Sequence, residues 1–189
     1  MDAELPPLEG VVFLDIETTG LNPYRDKVVT VQVRRGGVTT VWREWELGEP
    51  GVIEGFFGFT DSIFRKRTHF VGYNLPKFDL PFLTRRAEAN GLLGEERWRI
   101  LNSYLHVVDL YQLLGDHYVS AKLFYAKLAG RTQTTRNEDI PTLYHQGSYQ
   151  KIEEYIENEM QSMELLYQAL LKQDFYQRLV QLRRNIINP

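Results

Sequence analysis

The chain has 189 residues, a formal net charge of −3, 43% hydrophobic and 13% aromatic content, and no cysteine. That length and apolar content suffice for one packed domain. The lack of cysteine excludes disulfides and thiolate metal sites, so any metal must rely mainly on carboxylates and water. No apolar run approaches the roughly 18 residues of a transmembrane helix, and the acidic, proline-rich start "MDAELPPLEG" is unlike a signal sequence, which predicts a soluble cytoplasmic protein without membrane contact.

Strand signals come first in the chain. They cover residues 11–16, then "KVVTVQVR" from Lys27 and "VTTVWREWEL" from Val38, the last two joined across a Gly-Gly turn. A helix is predicted over 53–67, a short strand at "HFVGY", a helix over 80–90 stopped by Gly91, and a strand at "SYLHVVDL". Short helices follow over 110–114 and 121–128, the second with Ser120 as N-cap and Gly130 as stop. After the polar stretch "RTQTTRNEDIP", one long helix is predicted from Tyr149 to about Arg184. Its apolar residues Ile152, Tyr155, Ile156, Met163, Leu166, Tyr167 and Leu170 recur mainly every three or four positions.

Three antiparallel strands followed by helix-separated parallel ones is the element order of an RNase H-like mixed sheet flanked by helices. The expected organisation is a single α/β domain over 1–189, with 171–189 a basic helical extension at its end.

Charge is unevenly spread. Residues 151–170 carry Glu153, Glu154, Glu157, Glu159 and Glu164 against one lysine, whereas 171–189 carry Lys172, Arg178, Arg183 and Arg184 against Asp174. Basic clusters at 34–35, 65–67 and 85–86 read as solvated faces. Arg178, Arg183 and Arg184 read either as the solvated end of a helix or as contacts to a phosphate backbone or an acidic partner.

The stretch "FLDIETTGL" places Asp15 and Glu17 at the end of a strand that otherwise reads as buried. Side chains two apart on a strand share a face, so both carboxylates face a common ligand, and their repulsion calls for a positive charge between them. A second stretch, "VGYNLPKFDLPFL", sets Asn74 and Asp79 just past a strand and at a helix start, where an acid also serves as a cap or first-turn charge. If the two strands are neighbours, Asp79 joins Asp15 and Glu17 at one sheet end, an oxygen set suited to magnesium or manganese. In "EEYIENEM", Tyr155 and Glu159 are four apart and share a helix face. Asp109 and Asp139 read as helix caps.

The three strings "FLDIETTGL", "GYNLPKFDLPFL" and "IEEYIENEMQSMELLY" resemble the exonuclease motifs of the DEDD superfamily, tyrosine subclass. They are most similar to the proofreading domains of family B DNA polymerases and related stand-alone exonucleases. The resemblance runs from Val11 to Ala169 and takes in "HVVDLYQLL" and "SAKLFYAKLAG". It implies Asp15, Glu17, Asp79 and Glu159 as metal ligands for two divalent cations, Mg2+ or Mn2+, and Tyr155 as the residue orienting the attacking water. Thr18, Leu21, Asn74 and Phe78 would hold the 3′-terminal nucleotides. The chain departs from the pattern at Glu159, where the family has aspartate.

The implied activity is metal-dependent 3′ to 5′ release of mononucleotides from single-stranded or frayed DNA, in a DNA repair or proofreading setting with a replication or repair protein as partner. An RNA-directed exonuclease and a catalytically weakened nucleic-acid-binding or scaffold protein are the alternatives. His69, His106, His117 and His145 lack the spacing of the histidine subclass. No phosphate-binding P-loop and no nucleophile elbow is present.

Overall fold

The computed structural model describes residues 5–63, 68–101, 105–115 and 135–172. Five strands, β1 (Val11–Thr18), β2 (Val28–Arg35), β3 (Val38–Arg43), β4 (His69–Gly72) and β5 (His106–Asp109), form one sheet in the order β3-β2-β1-β4-β5. The β1, β2 and β3 pairings are antiparallel, while β1, β4 and β5 run parallel. The expected mixed sheet is present. Its helices are α1 (Glu44–Ile63), α2 (Asp79–Ala89), α3 (Glu95–Arg99), α4 (Leu110–Leu114), α5 (Ile140–His145) and α6 (Tyr149–Leu170).

Alternation along β1 divides the interior into two cores. Val12, Leu14 and Ile16 pack with Val52, Phe56 and Phe57 of α1 and Phe82 and Leu83 of α2. Val11 and Phe13 pack on the opposite face with Tyr155, Ile156, Met160, Met163 and Tyr167 of α6. The strands approach closely where Gly72 ends β4, since a Cβ there would lie 2.6 Å from the Leu14 carbonyl oxygen. Only glycine fits.

Several predicted boundaries shift for local reasons. The strand from Val38 was expected to include Leu47, but it stops at Arg43 and Glu44 opens α1. Glu44 is drawn to Lys27, 2.7 Å away, and Trp45 stacks on Tyr149 with ring centroids 4.4 Å apart. α1 then breaks at Gly48, whose φ of 67° leaves the helical region, before the helix resumes through Pro50 in its first turn. The helices α3 and α5 were not expected. Pro141 at the start of α5 was the available signal, at the end of the polar stretch "RTQTTRNEDIP".

The long C-terminal helix runs from Tyr149 to Leu170, the Leu171 N–H bonds back to the Tyr167 carbonyl, and the rest of its expected span towards Arg184 lies beyond the described residues. Among the described residues, Leu166, Tyr167 and Leu170 continue its buried apolar stripe, with Leu171 packed beside them. The expected 121–128 helix, the 65–67 cluster, His117 and most of the basic extension, with Arg178, Arg183 and Arg184, lie outside the described residues.

Some charges read as solvated are paired instead, and of these Arg34 and Glu164 are buried. The Arg34 Nε donates to Glu164 Oε2 at 2.5 Å and its Nη1 to Glu157 Oε1 at 3.1 Å, while the Arg43 Nε donates to Glu153 Oε1 at 2.5 Å. The acidic run of α6 is therefore partly consumed by the arginines of β2 and β3. On the other face, Glu49 accepts from the Val28 N–H, from Arg86 through two nitrogens and from Asn90, which locks α2 to the sheet. Burial pushes the Glu49 carboxyl up, but these donors outweigh it and hold it below the usual carboxylate range. Among the described residues no helix is long and apolar enough to cross a membrane.

Candidate active site

Asp15 and Glu17 continue the β1 row begun by Val11 and Phe13, so they belong to the face covered by α6. The offset between strand and helix follows from one packed pair. Phe13 meets Tyr167 edge-to-face with centroids 5.6 Å apart, and the Tyr167 hydroxyl donates to the Pro6 carbonyl at 2.7 Å. Glu159 lies eight residues before Tyr167, about 12 Å along a helix. Glu17 lies four residues beyond Phe13, about 13 Å along a strand. The two lengths match, which brings Glu159 to the level of Glu17 and Tyr155 one turn further out.

Asp79 reaches the same place from the other core. It is the first residue of α2, and its Oδ1 accepts the Ile16 N–H at 3.2 Å. Parallel β1, β4 and β5 all end here, the edge of an α/β sheet where ligands bind. The β1–β2 register shifts between Glu17 and Thr18, a bulge-type irregularity of the kind that re-aims side chains beside active sites.

Every site residue named from the sequence lines one cavity of about 420 Å³. Asp15, Glu17, Asp79, Tyr155 and Glu159 are there, as are Thr18, Leu21, Asn74 and Phe78. Tyr73 and Asn137 also line it and were missed. A second cavity of about 520 Å³ adjoins it, sharing Thr18, Leu21 and Asn137 and adding Gly20, Arg136, Glu138 and Pro141.

Electrostatics set these acids apart from ordinary surface carboxylates. Glu17 is raised well above the usual range, first by burial, then by the negative charges of Asp15, Glu159 and Asp79. Asp79 is raised likewise, by burial and then by Asp15, against the lowering effect of backbone N–H groups. Polar neighbours from β2 support the cluster. Gln32, opposite Asp15 in the register, donates through Nε2 to its Oδ2 at 2.8 Å, and Thr30, opposite Glu17, donates its hydroxyl to Gln32 Oε1 at 2.8 Å. Both are fully buried and were missed by sequence reading, although the alternation Thr30, Gln32, Arg34 was a visible signal.

Asp109 at the end of β5 supports the opposite wall. Its Oδ1 accepts the Tyr111 N–H at 3.0 Å, which is the expected cap, and also the Asn74 N–H at 2.7 Å. Asn74 needs that tether, because its φ of 61° is left-handed. Asp139 accepts the Arg136 N–H and also acts as a cap.

A family model of the RNase H superfamily matches residues 12–171. The chain belongs to the RNase H superfamily. Among solved structures it is similar to the family B DNA polymerase from the hyperthermophilic archaeon Pyrobaculum calidifontis, with a TM-score of 0.70 and 24% identity over 88% of this chain. The match spans 25% of that polymerase, so this superfamily member corresponds to about a quarter of its length. At that identity the likeness carries the fold, and it agrees with the motif resemblance to family B polymerases. No curated protein matches the chain.

RNase H-like nucleases generally use divalent metal ions. The residues fit that group in donor chemistry: the carboxylates are all hard oxygen ligands, and two of them are buried among like charges that a cation would offset. Among the described residues, no three acids or histidines are arranged as a ready-made metal cage.

Proposed function

We propose that this RNase H superfamily member is a metal-dependent 3′ to 5′ exonuclease acting on single-stranded or frayed DNA ends. The observation that carries the reading is the convergence of Asp15, Glu17, Asp79, Glu159 and Tyr155 with Thr18, Leu21, Asn74 and Phe78 on one cavity.

Two bound divalent cations, Mg2+ or Mn2+, would supply activation of water and stabilisation of the leaving oxygen. Asp15, Glu17, Asp79 and Glu159 are the residues that would hold them. Tyr155 orients the attacking water without becoming a covalent nucleophile. The water oxygen bonds to phosphorus as the bond to the 3′ oxygen breaks, and the products are a mononucleotide and a strand with a new 3′ hydroxyl. Leu21 and Phe78 contact bases that a stable duplex would withhold, which accounts for the preference for unpaired ends. Thr18 and Asn74 complete the pocket for the terminal nucleotide. A replication or repair protein is the partner that such an activity suits.

A catalytically weakened nucleic-acid-binding protein is the second reading. It is favoured by Glu159 at the position where the family pattern has aspartate. An RNA-directed exonuclease differs from the first reading only in substrate.

The deciding experiment incubates the protein with 3′- and 5′-labelled single- and double-stranded DNA and RNA in magnesium, manganese or EDTA. Stepwise mononucleotide release from 3′ ends, abolished by EDTA and by Asp15→Ala, is expected. Rapid cutting of a circular single strand would overturn the polarity.

A further inference from the structure

The loop from Gly20 to Lys27 leaves two large apolar side chains in solvent: Leu21 is 82% exposed and Tyr24 70%. Exposed apolar side chains are ordinary when scattered, but these sit three residues apart, and Leu21 lines both cavities at the candidate site. The loop is held in shape by its own hydrogen bonds. Asn22 donates its N–H to Asp26 Oδ2 at 2.8 Å and accepts the Tyr24 N–H on Oδ1 at 3.0 Å, and the Arg86 Nη1 donates to the Pro23 carbonyl at 3.2 Å. A side chain at Gly20 would have to displace Asp26, whose Oδ2 lies 2.4 Å from where the Cβ would sit.

One face of the Tyr24 ring is covered by a cation. The Arg85 guanidinium lies 4.3 Å from the ring centroid, and Arg85 is also paired with Glu88. Arg85 stands six residues along α2 from Asp79, about 9 Å by helical rise. Neither Tyr24 nor Arg85 lines the cavity, but Leu21, three residues before Tyr24 in the same loop, does, so the pair stands beside it. An aromatic ring backed by a guanidinium and open on its other face is the arrangement on which unpaired bases stack, with the cation also favouring phosphate.

Resting on the exonuclease reading, we propose that Tyr24 and Arg85 form a stacking platform for a base upstream of the 3′-terminal nucleotide, which makes affinity for single strands depend on length. The occupant is a nucleobase of the substrate strand. Continuity with the cavity through Leu21 and the positive charge of Arg85 both favour it over an apolar protein segment.

The test measures binding of 5′-labelled single-stranded DNA by fluorescence anisotropy in EDTA, which blocks turnover. A dinucleotide is compared with a decanucleotide, and with a decanucleotide abasic at every position except the two at its 3′ end. The wild-type protein should favour the full decanucleotide over the dinucleotide, and the abasic strand should lose most of that gain. Tyr24→Ala should reduce the decanucleotide-to-dinucleotide affinity ratio about fivefold or more, the low end for one stacked base. Tyr24→Phe should keep the ratio within about twofold of wild type. Thermal melting checks that the variants are folded.

An unchanged ratio in folded Tyr24→Ala, or an abasic strand bound as tightly as the full one, overturns the platform while leaving the exonuclease reading intact. Wild-type protein that neither binds nor degrades any nucleic acid overturns both.

Discussion

Glu159→Asp is the substitution that most directly tests how this site works. Glu159 is only 6% exposed, lies one turn beyond Tyr155 on α6, and bears on Glu17 strongly enough to help raise its carboxyl above the usual range. Its place is set by the Phe13–Tyr167 contact, so the backbone cannot easily retreat to accommodate a longer side chain. Relative to aspartate, glutamate carries its carboxylate about one bond further, roughly 1.5 Å. Magnesium demands near-ideal octahedral oxygen geometry, and a misplacement of about 1 Å in a catalytic group can cost about 100-fold in rate. Glu159→Asp should therefore raise the magnesium-supported rate by about ten- to a hundredfold, with a smaller gain in manganese. The deleted methylene should lower stability by only about 1 kcal/mol. Single-turnover release of a 3′-terminal nucleotide from a labelled single strand, in each metal, measures the effect. A lower rate in folded Glu159→Asp would refute the misfit argument and show a site built around glutamate. If wild type and Glu159→Asp are both inactive with every substrate and metal, the binding-module reading prevails.

Glu17 and Asp79 have carboxyls raised above their ordinary values of 4.5 and 3.8, so the stability they contribute is complete below those values and is lost as pH rises through the raised ones. In EDTA the melting temperature should fall as pH rises above those ordinary values, and Glu17→Gln should flatten that slope and raise stability at its upper end. The same variant should reduce the increase in melting temperature produced by magnesium or manganese, since it removes one of the proposed ligands. Asp109→Ala leaves the Asn74 and Tyr111 N–H groups without their acceptor, so denaturant unfolding should show a loss of about 2–4 kcal/mol. Arg34→Met strands Glu164, which is 8% exposed, and should cost about 3 kcal/mol by the same measurement, whereas a change below about 0.5 kcal/mol would place that pair with ordinary surface ion pairs.

The sheet was legible because its strands carry their own signals. A continuous apolar run in Val11–Leu14 reads as a central strand, and alternation in β2 reads as strand even though its polar row proved to be buried under α6. The acids of the site were legible for a related reason. A carboxylate on a core row contradicts the pattern around it, and such contradictions concentrate at functional positions. What could not be read depends on partners distant in sequence. Nothing near Arg34 announces Glu164, 130 residues away, and nothing near Asn74 announces the Asp109 carboxylate that holds it. The boundary at Glu44 was missed likewise, because strand propensity in Val38–Leu47 was overruled by Lys27 and by stacking on Tyr149.

Those long-range contacts explain how the protein tolerates a negative cluster in its interior. Repulsion among Asp15, Glu17, Asp79 and Glu159 would drive β1, α2 and α6 apart if each were held only by local packing. Each carrier is instead anchored away from the cluster: α6 by Tyr167 on Phe13 and by Glu157 and Glu164 on Arg34, α2 by Arg86 on Glu49, and β1 by ladders on both sides. The anchors use apolar contacts and carboxylates already paired with arginines. The acids can therefore stay close without a cation and still be available to one. A substitution at an anchor should weaken the fold and the site together, whereas Glu17→Gln should strengthen the metal-free fold while weakening the site. Those opposite signs separate a cluster kept for binding from one kept for structure.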